Sequence, residues 1–177
     1  MIRKKAQHEI AGFALIVLVV AIIGLIFLAL ALRGGEPVRK TSAEISDFLQ
    51  ASMYHTTDCV LNNIPNYLSL QNLIKTCYND NSTTCFNGDR VCEVLNTTLD
   101  NIIKNGLRVG EQNPNKAYKL NMYFDIKDST IPRESILQMQ QGNFGNCSSI
   151  IGSSYFIPYI ENIKIGNIWI ELDLCKS

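Results

Sequence analysis

The sequence has little of what catalysis usually requires. Its 177 residues include only two histidines, His8 and His55, and no Walker loop, dinucleotide fingerprint or hydrolase elbow. Six cysteines are present, but no Cys-x-x-Cys pair, and with so few histidines a zinc site is a poor reading of them. Net charge is missing as well, because 16 basic residues balance 16 acidic ones. No basic stripe interleaved with aromatics is there to receive a nucleic acid. The length suits one modest folded domain beyond the N-terminal segment, not two. These absences point away from enzymes and from bound cofactors or metals.

What the chain does have is one long apolar run. From Ile10 to Leu32 there is no charged residue; at about 1.5 Å per helical residue the run reaches roughly 34 Å, enough to cross a hydrocarbon core of about 30 Å. The spacing has no polar face, so a transmembrane helix is expected over residues 10–32, with the lipid bilayer as its partner. The segment before it, residues 1–9, is basic through Arg3, Lys4 and Lys5, and Arg33, Arg39 and Lys40 follow the run. Cations at both ends lean only weakly towards a cytoplasmic N-terminus. A removable secretory signal would use the small residues around Ala29-Leu30-Ala31, but its apolar region is too long for that class.

The cysteines orient the chain better. Cys59, Cys77, Cys85, Cys92, Cys147 and Cys175 all follow the run and are even in number, which predicts disulfides and an oxidising, extracytoplasmic compartment. Three candidate glycosylation sequences agree: Asn81-Ser82-Thr83, Asn96-Thr97-Thr98 and Asn146-Cys147-Ser148. The third competes with pairing of Cys147.

Residues 33–40, with paired glycines and Pro37, read as a hinge. Beyond it, residues 41–177 read as an α+β domain. Thr41 and Glu44 have capping-box spacing, followed by an apolar helical stripe of Ile45, Phe48, Leu49 and Met53. Ser69 is expected to cap a helix through Leu70, Leu73, Ile74 and Cys77. A further helical pattern runs from Asp89 through Leu95, Leu99 and Ile103 to Asn105-Gly106. Between the two, Cys85 can reach either Cys77 or Cys92 in a local staple. The period then changes to two: Tyr118, Leu120, Met122, Phe124 and Ile126 alternate with polar residues, as in a half-buried strand. "ESILQMQQGN" is ambiguous between helix and strand. Gly166-Asn167 suits a tight hairpin turn joining "YFIPYIENIKI" to "IWIELDL", with Ile168, Ile170, Leu172 and Leu174 facing the core. Cys175 would anchor the last strand, with Cys147 as one candidate partner among fifteen connectivities. The expected sheet is antiparallel.

Few side chains suggest chemistry. His55 with Asp58 could orient a base, though at helical spacing a surface hydrogen bond is the commoner outcome. Glu171 and Asp173 share a strand face and could hold a cation. Trp169 and Tyr123 fall on the polar faces of their strands, where aromatics mark contact surfaces or pack beneath a helix.

The N-terminal stretch "KKAQHE", running straight into an uninterrupted apolar helix, resembles the class III signal peptides of archaeal type IV pilins and pilin-like proteins. The resemblance covers about the first thirty residues and implies a membrane prepilin peptidase cutting between Ala6 and Gln7 on the cytoplasmic side, with the helix retained. It also implies that copies of the chain, or related pilin-like subunits, pack through this helix, with Glu9 pairing a neighbour's new amino terminus and Gly12 and Gly24 permitting close approach. The expected function is therefore a structural subunit or minor component of a type IV pilus-like filament at the cell surface. The alternative is an uncleaved single-pass membrane protein whose extracytoplasmic body binds or adheres.

Overall fold

Alternation and helical spacing convert into structure over most of the chain. The computed structural model describes residues 15–28, 39–61, 66–126, 132–161 and 164–176. The chain divides into two units, Met1–Glu36 and Pro37–Ser177, and the division falls inside the expected hinge.

In the first unit, residues 15–28 form helix α1. At about 1.5 Å per residue this is roughly 21 Å, short of a hydrocarbon core. Among the described residues, no helix is long and apolar enough to cross a membrane. The rest of the expected span, at 10–14 and 29–32, lies outside the described residues, as do Ala6, Gln7, Glu9 and Gly12.

The second unit is α+β. Its elements run β1 (Arg39–Thr41), α2 (Ala43–Ser52), β2 (Thr56–Val60), β3 (Tyr67–Ser69), α3 (Leu70–Asn79), α4 (Val91–Gly106), β4 (Asn115–Ile126), β5 (Glu134–Gln141), β6 (Ser149–Glu161) and β7 (Lys164–Lys176). Five strands form one sheet in the order β1-β6-β7-β4-β5. All its pairings are antiparallel except β1 with β6, where Arg39 to Thr41 run beside Ile150 to Gly152. The end of the expected hinge is therefore strand, and the sheet is mixed. β2 and β3 make a separate two-stranded ribbon, so "HTTDC" continues as a strand, not as the end of a helix.

Helix starts follow their capping chemistry. Ser42, not Thr41, caps α2 by accepting the Ile45 N–H, because Thr41 is committed to β1. The one-residue shift removes the reciprocal spacing with Glu44. Ser69 caps α3 as expected, accepting the Asn72 N–H. α4 begins at Val91, without a side-chain cap, and ends at Gly106. Ile45, Leu49, Leu73, Ile74, Leu95, Leu99 and Ile103 pack from the helices against Tyr118, Leu120, Met122, Phe124, Ile168, Ile170, Leu172 and Leu174 of the sheet.

Three disulfides tie this core. Cys147–Cys175 fastens the start of β6 to the end of β7, as anticipated. Cys85, however, pairs with Cys59, while Cys77 and Cys92 join α3 directly to α4. The loop cysteine reaches back to β2 because the Phe86 N–H donates to Val60 O, which lays the loop along that strand.

The hairpin turn also differs from expectation. Glu161 pairs with Lys164, so β6 and β7 close around residues 162–163, outside the described residues, and Gly166 and Asn167 lie within β7 opposite Tyr159 and Pro158. Gly166 is needed for another reason. A Cβ there would meet the Asp125 carbonyl oxygen and lie 2.7 Å from Phe124 Cζ. The missing side chain lets the Phe124 ring close over β7 and pack on Tyr78 and Tyr159, with centroids 5.0 and 5.7 Å away.

Candidate functional site

Two surfaces stand out, one on each unit. The first is α1. Its large apolar side chains are exposed all round the helix, from Leu15 at 65% and Val20 at 63% to Phe27 at 70%. A helix that is hydrophobic on every side is found buried, in a protein core or in lipid. Apart from its chain neighbours and its own helix backbone, Gly24 has no atom of the described residues within 4 Å of where a Cβ would be. Of the candidate assembly residues, it alone lies among the described residues.

The second surface is the sheet face opposite the helices. Register that is unbroken from Ala117 to Ile126 of β4 and along β6 sets Tyr123 opposite Trp169 and Trp169 opposite Phe156. The Phe156 and Trp169 rings lie 5.4 Å apart, and the Arg133 guanidinium sits 4.7 Å above the Tyr123 ring. The Tyr123 hydroxyl donates to Glu171 Oε1 at 2.8 Å. Partial burial and that carboxylate push the Tyr123 hydroxyl up to about 12, so it remains a donor at neutral pH. Trp169 and Tyr123 are half-buried and Phe156 is 48% exposed. At the closed end of the hairpin, Ile160 and Ile165 face each other at 77% and 59% exposure. Alternation within "SYFIPYIE" carries the signal for Phe156, since Ile157 and Tyr159 are buried between exposed neighbours. Placing the turn at Gly166-Asn167 hid this partnership, because Trp169 then has no correct cross-strand neighbour.

The remaining candidates separate. His55 is exposed after the end of α2 and Asp58 is exposed on β2; both border one open polar groove, but no hydrogen bond joins them. Glu171 is engaged by Tyr123, and among the described residues no three histidine, cysteine or acidic side chains are placed to hold a metal ion. A partly buried polar pair does exist at Tyr118 and Asp100. The Tyr118 hydroxyl donates to Asp100 Oδ1 at 2.6 Å, and Lys104 bonds the other oxygen. Burial would raise the Asp100 carboxyl, but these donors outweigh it and hold it below the usual range. Burial and the carboxylate raise the Tyr118 hydroxyl. Opposed shifts of this kind describe a neutral hydroxyl donating to a carboxylate and leave neither group ready to exchange a proton near neutral pH.

Asn81, Asn96 and Asn146 are all exposed. Asn81 is in the turn after α3, Asn96 is on α4, and Asn146 precedes a disulfide-bonded cysteine. No protein-family model, curated protein or solved structure matches the chain.

Proposed function

We propose that the chain is a pilin-like cell-surface protein, a structural subunit or minor component of a type IV pilus-like filament. In this reading residues 10–32 cross the bilayer before assembly, the N-terminus is cytoplasmic and the body is extracytoplasmic. A prepilin peptidase cuts between Ala6 and Gln7, and the helix then packs against copies of itself or related subunits. The observation that carries this reading is α1, apolar and exposed on every side. At roughly 0.3–0.6 kcal/mol for each Leu, Ile, Val or Phe, its large side chains favour bilayer insertion by roughly 4–7 kcal/mol. Water is the one environment this helix does not suit. Moving from lipid into a helical filament core exchanges one apolar setting for another, so packing and registry decide the outcome. The three disulfides support an oxidising location for the body.

A second reading, an uncleaved single-pass protein with a binding or adhesive body, is favoured by the aromatic row Tyr123, Trp169 and Phe156. Both readings require membrane insertion, and fractionation tests it. The full chain is expected in the membrane fraction and to resist alkaline extraction, whereas replacing Leu18 and Ile22 with lysine releases it to the aqueous phase. Each central lysine opposes insertion by about 3 kcal/mol. Recovery of the unaltered chain in the aqueous fraction as a dispersed protein, outside both membrane and filament, would overturn both readings.

A further inference from the structure

The five-stranded sheet has two edges, and they are protected unequally. At one edge β1 covers Ile150 to Gly152 of β6. Farther along the same edge is Pro158, a residue that cannot donate to an incoming strand. At the other edge, among the described residues, β5 pairs only with β4. Glu134 and a register shift at Ser135–Leu137 guard its start, but its second half, Gln138 to Gln141, contains neither proline nor a charge, the features that blunt an edge. A Gln-rich strand with one open side is a template for pairing with another chain.

Two of the three candidate acceptor asparagines border this open strand. Asn81 lines a hollow of about 200 Å³ with Glu134, Ser135 and Leu137, the first half of β5. Asn96 and Thr97 line a cleft of about 460 Å³ with Gln138, Gln140 and Gln141, the second half. The clefts follow one another along the strand, and amides and hydroxyls dominate the longer one. Neutral amides and hydroxyls suit a polyhydroxylated ligand, and covalent attachment at the rim would hold that ligand at high effective concentration. Asn146 lines neither cleft.

We propose that Asn81 and Asn96 carry N-linked glycans that lie along β5 and cover its open edge. The inference rests on the extracytoplasmic placement in the proposed function. The co-reactant is a lipid-phosphate-linked oligosaccharide. The asparagine Nδ2 forms a bond to the sugar C1, the C1–O bond to the donor phosphate breaks, the phosphate leaves with that electron pair, and one amide proton is lost to base. Asn96 and Thr98 stand two apart on α4 and point to different sides of the helix, so transfer there precedes folding of α4. The Thr83 N–H and hydroxyl are both engaged by Asp80, so transfer at Asn81 likewise precedes closure of its turn.

The test begins with the full chain purified from its own cells and peptide-mapped without reduction. Glycan mass on the Asn81 and Asn96 peptides, with three disulfides intact, is the expected result. Disulfides intact with Asn81 and Asn96 bare overturns the proposal and leaves the extracytoplasmic placement standing. Free thiols with bare asparagines overturn both. The covering role is read separately, by hydrogen exchange in detergent. The β5 amides should exchange about tenfold faster in N81Q/N96Q, and equally fast in folded wild-type protein trimmed with a glycosidase, than in the glycosylated chain. Both asparagines are exposed, and the trimmed sample controls for any folding defect in the variant. Equal exchange with and without glycan overturns the covering role.

Discussion

At the scale of single residues, Gly166 shows how a small side chain can be required deep inside a strand. Asp125 O and the Phe124 ring occupy the space a Cβ would need, and one of those obstacles is backbone, which cannot rotate away. Gly166→Ala should therefore cost about 1–3 kcal/mol through overpacking, despite the better strand propensity of alanine. Denaturant unfolding of the full chain in detergent would show the midpoint falling. An unchanged midpoint would mean that Phe124 and its stack on Tyr78 and Tyr159 are not close-packed. The same residue explains why the turn was misread from sequence. Gly-Asn carries the chemistry of a tight turn, and only the packed neighbour on β4 reveals that this glycine serves a close approach.

At the scale of elements, Pro158 has a directional role. The Ser42 N–H donates to Gly152 O, so the backbone groups of Gly152 point to the outer edge of β6. Register with β7 is unbroken from Ser149 to Glu161, and alternation therefore turns Ser154, Phe156, Pro158 and Ile160 the same way. The proline sits where its missing N–H costs no bond to β7 and withholds one from any incoming strand. Pro158→Val would restore that donor and add strand propensity. Each ladder bond gained is worth about 1 kcal/mol, so self-association should tighten roughly fivefold. Sedimentation of variant and wild type in detergent across a concentration series measures this. Coincident curves would show that the edge is closed by something other than Pro158.

Elements governed by local periodicity were legible from sequence. The buried sets of α2, α3, α4, β4 and β7 follow from spacing alone, as does Ser69 at the start of α3. What depended on distant partners was not. β1 is three residues long and exists because β6 lies beside it, and Thr41 is drawn out of the helix for the same reason. β5 carries the apolar spacing of neither helix nor strand, and its pairing with β4 decides it. Cysteine spacing favours near neighbours for Cys85, whereas the fold brings Cys59 to it through the Phe86 to Val60 bond.

At the scale of the whole molecule, the chain combines a closed, stapled α+β body with a helix that has no water-facing side. The body needs nothing further to hide its core. Its outer sheet face offers an aromatic row for contact, and its staples suit an oxidising environment. The helix does need an apolar setting, and the proposed history supplies two in sequence, lipid and then a bundle of like helices. Their difference is one peptide bond. Cleavage between Ala6 and Gln7 would remove Arg3, Lys4 and Lys5 and leave a free amine two residues before Glu9, creating the charge pair that an apolar bundle could use for registry. The most direct measurement is the intact mass of the chain isolated from its own cells. A protein beginning at Gln7 and recovered in an extracellular filament fraction is the predicted result. A chain retaining Met1, confined to membranes that yield no filament, would contradict it.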